Sequence, residues 1–125
     1  MEFRYAGKED SALILNFIRQ LAAYEKMSDQ VIATEELLRE WIFEKQKAEV
    51  LFVLADGKEV GFALFFNNFS TFLGRAGIYL EDLFVLPEYR GRGYGKALLS
   101  KLAQITLERG CGRLEWSSLT GTSRA

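Results

Sequence analysis

Apolar residues along the chain fall into two kinds of pattern, and the boundaries between them lay out the elements. Ile14, Phe17, Ile18 and Leu21 recur at the three- and four-residue spacing of one helix face, with Asp10 placed to cap the first turn. Phe3, Arg4 and Tyr5 before it read as a short strand. A second helix starts at Thr34, whose hydroxyl suits the free amides while Glu35 and Glu36 suit the positive end of the dipole. Leu37, Leu38, Trp41 and Ile42 give that helix one apolar side. The pattern then changes to continuous apolar runs at 50–55 and 60–66, joined through Asp56-Gly57, a dipeptide suited to the positive φ angles of a tight hairpin. Residues 67–77, with two Asn, two Gly, Ser and Thr, read as a loop, and 78–86 as a third long strand that Pro87 ends. From Gly93 or Tyr94 the period is helical again, with Leu98, Leu102 and Ile105 beside Leu99, until Arg109-Gly110 closes the helix. Residues 113–116 start another strand. The order predicts an α+β fold, a mixed central sheet with flanking helices and one parallel crossover.

Composition narrows what such a fold can do. The chain has 125 residues, 49% of them hydrophobic and ten of them Phe, which suits one domain with a sizeable core. Sixteen Lys and Arg against seventeen Asp and Glu leave no basic field to attract nucleic acid or an anionic membrane, so a small-molecule partner is expected. No apolar run approaches the roughly 20 residues of a membrane-spanning helix. Cys111 is the single cysteine, and the N-terminus lacks the basic start and apolar run of a signal peptide, so a cytoplasmic location is expected. There is no histidine, which excludes His-based triads, and one cysteine does not make a zinc site, so no metal centre is expected.

The most informative stretch is Arg90-Gly91-Arg92-Gly93-Tyr94-Gly95-Lys96, which opens the last helix. Unpaired amides at a helix start, a favourable dipole and glycines that let the backbone come close make a phosphate cradle, to which Arg90, Arg92 and Lys96 add charge. A Walker A loop would need glycine at Arg90 and Ser or Thr at Ala97, so it fails twice. A dinucleotide fingerprint would need glycine at Lys96 and no intervening 87–90 segment, although Glu115 stands about 20 residues downstream, where a ribose-binding acid belongs.

Arg90-x-x-Gly93-x-Gly95 instead matches the Gln/Arg-x-x-Gly-x-Gly/Ala signature of the GNAT family of N-acetyltransferases. Leu21-Ala22-Ala23-Tyr24-Glu25-Lys26-Met27, Gly61-Phe62-Ala63, Tyr79-Leu80-Glu81-Asp82-Leu83-Phe84-Val85 and Tyr89-Arg90-Gly91 resemble, in order and spacing, its diamine and spermidine/spermine branch. The resemblance implies the GNAT fold over residues 1–116, acetyl-CoA as cosubstrate, and transfer of acetyl to the primary amine of a small diamine, polyamine or lysine-like compound. It also implies a homodimer. An alkylammonium titrates near pH 10, so a base must remove its proton before nitrogen attacks. By match to the family motif Glu81 is that base, through water, and Asp82 binds the cationic substrate. As neighbours in a strand the two acids should face opposite sides of the sheet and not act as one dyad. The resemblance also gives Leu83, Phe84 and Val85 to the pantetheine arm, Arg90, Gly91, Arg92, Gly93, Tyr94, Gly95 and Lys96 to the pyrophosphate, and Tyr24 and Glu25 to the substrate.

Two departures accompany the match. A family polyamine enzyme carries an Asp and a Trp before the third strand, where this chain reads Asn67-Asn68-Phe69-Ser70-Thr71-Phe72, which argues against long polyamines and leaves lysine-like or thialysine-like amines open. After Trp116 the family's further helix and last strands have no counterpart, including the Tyr that protonates the departing thiolate, so no general acid is assigned. Residues 117–125 form an atypical tail that a one-base shift of reading frame would produce from a family-like continuation. A non-catalytic fragment that binds CoA is the alternative reading.

Overall fold

The structure is a computed structural model that describes residues 1–117. The expectation of a shifted frame in 117–125 therefore lies, apart from Ser117, outside the described residues.

Five strands form one sheet in chain order: β1 (Glu2–Tyr5), β2 (Glu49–Ala55), β3 (Lys58–Ser70), β4 (Arg75–Val85) and β5 (Leu114–Trp116). Neighbours are antiparallel except β4 and β5, which are parallel and joined by α3 (Tyr94–Glu108). The mixed sheet and its crossover are those the pattern predicts. The other face carries α1 (Ser11–Tyr24) and α2 (Glu35–Leu38), the latter continuing as a π-helical segment, Arg39–Glu44.

Each sheet face is a core because the apolar runs leave neither side polar. Leu51, Val53, Ala63, Phe65, Ile78, Leu80 and Leu83 pack with Leu98, Leu102 and Ile105 of α3. On the opposite face Phe52, Phe62 and Phe84 pack with Ile14, Phe17 and Leu21 of α1 and with Ile42. Phe17 stacks on Phe62 at 5.3 Å between ring centres, which pins α1 across the middle of the sheet. The β2–β3 turn forms at Asp56 and Gly57 with φ of 51° and 80°, the left-handed pair expected of the dipeptide. Thr34 caps α2 through Leu37 N–H at 3.1 Å.

Two sequence expectations are corrected. Residues 67–77 are not a loop: β3 and β4 extend into a long hairpin closed by a turn over 71–74. Their polar residues are used within the sheet. Asn67 Nδ2 donates to the Gly77 carbonyl at 3.1 Å, and Asn68 Nδ2 reaches Glu115 at 2.8 Å. Gly77 is required by close approach, since a Cβ there would stand 3.0 Å from the Arg113 carbonyl oxygen and 2.7 Å from Asn68 Oδ1. Asp10 occupies the cap position of α1 but makes no side-chain cap. Its carboxylate instead accepts both Arg4 Nη atoms, at 2.8 and 2.9 Å, and the Gly7 N–H at 2.8 Å. Hydrogen bonding from Arg4 holds the Asp10 carboxyl below the usual range despite its burial.

Candidate active site

The centre of the site is an irregularity in β4. Leu64 of β3 pairs with Asp82, but the next residue, Phe65, pairs with Leu80, so Glu81 is an extra residue in β4, a β-bulge. The bulge shifts the alternation, which is why Leu80 and Leu83, three apart, both face α3. The bulge breaks strict alternation at Glu81, and the charge of Glu81 reaches Asp82. Asp82 lies two residues from Phe84, on the α1 side, and its carboxyl is pushed up to about 6 by burial first, then by the charges of Glu81 and Glu25. Glu81 is exposed.

Helix α1 ends so as to deliver Tyr24 and Glu25 to this place. Lys26 takes a left-handed φ of 60°, Met27 N–H bonds Ala22 O at 2.7 Å and Lys26 N–H bonds Ala23 O at 3.1 Å, the paired closure of a Schellman motif. Glu25 keeps one oxygen, Oε2, buried and without a hydrogen-bond partner among the described residues. Tyr24 is 62% exposed, so its ring offers a face to a ligand, while its edge meets Phe84 at 6.5 Å.

Beyond the bulge, the outer edge of β4 has no pairing strand among the described residues. Strand β5 pairs only with Ile78, Tyr79 and Leu80, so no described strand lies beside residues 81–85 on that side. Leu86 N–H bonds Val60 O, which places 84 and 86 in the hydrogen-bonded pairs with β3 and turns the N–H and C=O of Leu83 and Val85 outward. These are the two residues expected to meet the pantetheine arm.

The free edge leads to the glycine loop. A cleft of about 110 Å³ runs from Val85 past Arg90, Gly91, Gly93 and Gly95 to Lys96. Gly93 caps α3 with φ of 89°, and the first helical bond runs from Ala97 N–H to Gly93 O, which leaves the amides of Tyr94, Gly95 and Lys96 without helical partners. The first turn of α3 holds no acid to occupy the positive end of the dipole. A Cβ at Gly91 or Gly93 would meet nothing within 4 Å, so a phosphate has room to approach the backbone. Arg92 lies over the Tyr89 ring at 5.2 Å, beside the loop. The residues present thus fit an extended arm ending in phosphates.

The structure brings Tyr24, Glu25, Glu81, Asp82, Leu83, Phe84 and Val85 into one region continuous with the loop 90–96. Sequence reasoning missed the bulge, whose signal was the apolar phase slipping between Leu80 and Leu83. It also missed where the Arg90 side chain goes: Nε donates to the Val85 carbonyl at 2.9 Å, and the guanidinium lies over Tyr24 at 4.2 Å and Phe84 at 5.0 Å. No sequence signal announces that stack. Glu115 is not available as a ribose acid. It accepts Asn68 and Arg113 in the half of β4 away from the glycine loop, which removes the dinucleotide alternative. A wider hollow of about 480 Å³, lined by Tyr5, Phe43, Glu49 and Asn67, contains none of the expected site residues. Among the described residues no group of three or more His, Cys, Asp or Glu could hold a metal ion, and no helix is long and apolar enough to cross a membrane.

Known proteins share this sequence pattern and fold. The model of the "Acetyltransferase (GNAT) family" matches residues 15–124. A Bos taurus thialysine N-epsilon-acetyltransferase is 40% identical over 98% of this chain and 76% of its own length. A Homo sapiens spermidine/spermine N(1)-acetyltransferase-like protein 1 is 30% identical over 88% of this chain, which corresponds to 17% of that longer protein. An aminoglycoside acetyltransferase from an uncultured soil metagenomic sample, solved with trehalose, superposes with a TM-score of 0.79 at 18% identity, covering 99% of this chain and 87% of its own, a likeness of fold. Family model and relatives agree: the chain belongs to the GNAT family of acetyltransferases and is an N-acetyltransferase.

Proposed function

We propose that this enzyme transfers the acetyl group of acetyl-CoA to the primary amine of a small lysine-like or diamine acceptor. The observation that carries the proposal is the meeting of three carboxylates, Glu25, Glu81 and Asp82, at the bulge where the free edge of β4 begins. On one side of that point lie an outward-facing strand edge and a phosphate cradle. On the other lie acids and an exposed aromatic ring, the groups that suit an ammonium on an aliphatic stem. Their adjacency supports a reading in which thioester and amine meet in one site.

In this reading Leu83 and Val85 pair with the pantetheine arm as an added strand, over Phe84, and the loop 91–96 holds the pyrophosphate with Arg92 and Lys96. Asp82 and Glu25 hold the acceptor as a cation. Glu81, on the bulge and exposed, takes the proton through water. The deprotonated nitrogen attacks the thioester carbonyl and the CoA thiolate leaves. An outward amide of the free edge is the donor that would polarise the carbonyl oxygen. The relatives named for thialysine and for spermidine/spermine support an amine acceptor, and the absence of an acid at Asn67 and Asn68 favours the shorter compounds. The same reading assigns a cytoplasmic setting, in keeping with one free thiol at Cys111, and a homodimer by likeness to the branch.

Release of free thiol from acetyl-CoA, measured with thialysine, lysine, ornithine, 1,3-diaminopropane and spermine, tests the proposal. Turnover with the short amines exceeding that with spermine is the expected result. Binding of CoA with no thiol release for any amine would replace the proposal with a binding-only role.

A further inference from the structure

We propose that Arg90 is an internal cation that sits in the acceptor's place on Tyr24 until the cofactor takes Val85, so that one side chain couples the two sites. The inference rests on the function proposed above and names what connects its halves. Arg90 belongs to the phosphate loop by sequence, yet its guanidinium reaches back to the acceptor side. Nε donates to the Val85 carbonyl at 2.9 Å, and the guanidinium carbon lies 4.2 Å from the Tyr24 ring centre and 5.0 Å from that of Phe84. A planar guanidinium that donates in its plane while its faces stack is a well-defined placement, which an ammonium does not reproduce.

Each of these contacts stands where a ligand contact would be. The Val85 carbonyl points to the free edge of β4, where no described strand supplies a donor. A pantetheine amide that adds to this edge competes with Arg90 Nε for the same oxygen. One face of Tyr24, beside Glu25, is a surface on which an alkylammonium would rest, and the guanidinium covers that face at 4.2 Å. An amine arriving first meets a covered ring face and a like charge. An amine arriving after the cofactor meets neither, because the phosphates offer the released guanidinium a partner. Arg90 directly precedes Gly91 and lines the same cleft, so the exchange needs a side-chain movement and no loop rearrangement.

The coupling is reciprocal: whatever factor CoA adds to amine binding, the amine adds to CoA binding. Thialysine is titrated by calorimetry into the wild-type protein, Arg90→Met and Tyr24→Leu, each with and without saturating CoA, which binds but carries no acetyl group. In the wild type CoA should tighten thialysine binding about 5-fold or more. In Arg90→Met, thialysine should bind without CoA as tightly as it binds the wild type with CoA, and CoA itself should bind more weakly. If Arg90→Met shows no cooperative thermal transition, Tyr24→Leu carries the test: its amine affinity should be lower and no longer respond to CoA. A wild-type amine affinity that does not respond to CoA, or a response that survives in the folded variants, overturns the inference while thiol release still supports the function. Failure of the wild type to bind CoA overturns both.

Discussion

Replacing Asp82 with Asn removes a charge that the fold holds at a cost. The carboxyl rises from an ordinary 3.8 to about 6 because it is buried and because Glu81 and Glu25 add like charge. A folded value above the unfolded one means that the native state holds the proton over the interval between them, so stability falls as pH rises through it. At about 1.4 kcal/mol per pKa unit, the ionised Asp82 destabilises the fold by about 3 kcal/mol above the interval and by nothing below it. Asn has nearly the same shape and no charge. Urea denaturation of Asp82→Asn should therefore show a gain of up to about 3 kcal/mol at about pH 8 that vanishes at about pH 3. The same substitution should raise the KM for the amine, since the charge that strains the fold is the one that attracts the acceptor. An equal stability difference at both pH values, or a loss of stability at the higher one, would refute the reasoning, because either would mean that burial and neighbouring charge do not set the energy of this group.

Glu81→Gln should lower kcat by about 10²- to 10⁴-fold while calorimetry shows CoA binding unchanged, the pattern of a lost base on an exposed bulge. Gly93→Ala forces a side chain onto a φ of 89° at the cap of α3, so it should cost about 1–2 kcal/mol in denaturant and weaken CoA binding, because the new Cβ projects into the open side of the cradle. Gly61→Ala would place a Cβ 2.9 Å from the Phe84 carbonyl oxygen. It should destabilise by about 1–3 kcal/mol, read as a lower urea midpoint, by pushing β4 off β3 at the level of the free edge.

The elements set by hydrophobic period were legible from the sequence. The stripes Ile14, Phe17, Leu21 and Leu98, Leu102, Ile105 are buried helix faces, and Asp56-Gly57 makes the turn its φ preference demands. What period does not encode was harder to see. Asn67, Asn68 and Gly77 are loop-like by composition, but side-chain bonds to Gly77 and Glu115, and the close approach of Arg113, hold them in strands. Asp10 stands at a cap position by spacing, yet Arg4 is the stronger partner for its carboxylate. In the site, the family motif picks out Glu81 and Asp82 along the chain, while the bulge that sets Glu81 against Asp82 depends on register with Phe65 and Leu64, a relation between strands. Arg90 shows the same limit. Its position in the loop suggests phosphate, and only the fold brings Tyr24 beneath its guanidinium.

The central claim is that the outward edge at Leu83 and Val85 and the amides of the glycine loop form one continuous cofactor site. Amide hydrogen exchange followed by NMR, with and without CoA, addresses it residue by residue. CoA should slow exchange at Leu83, Val85 and the amides of 91–96 while leaving those of β1 unchanged, and NAD should slow none of them. Protection that appears elsewhere, or on the loop without Leu83 and Val85, would contradict the account.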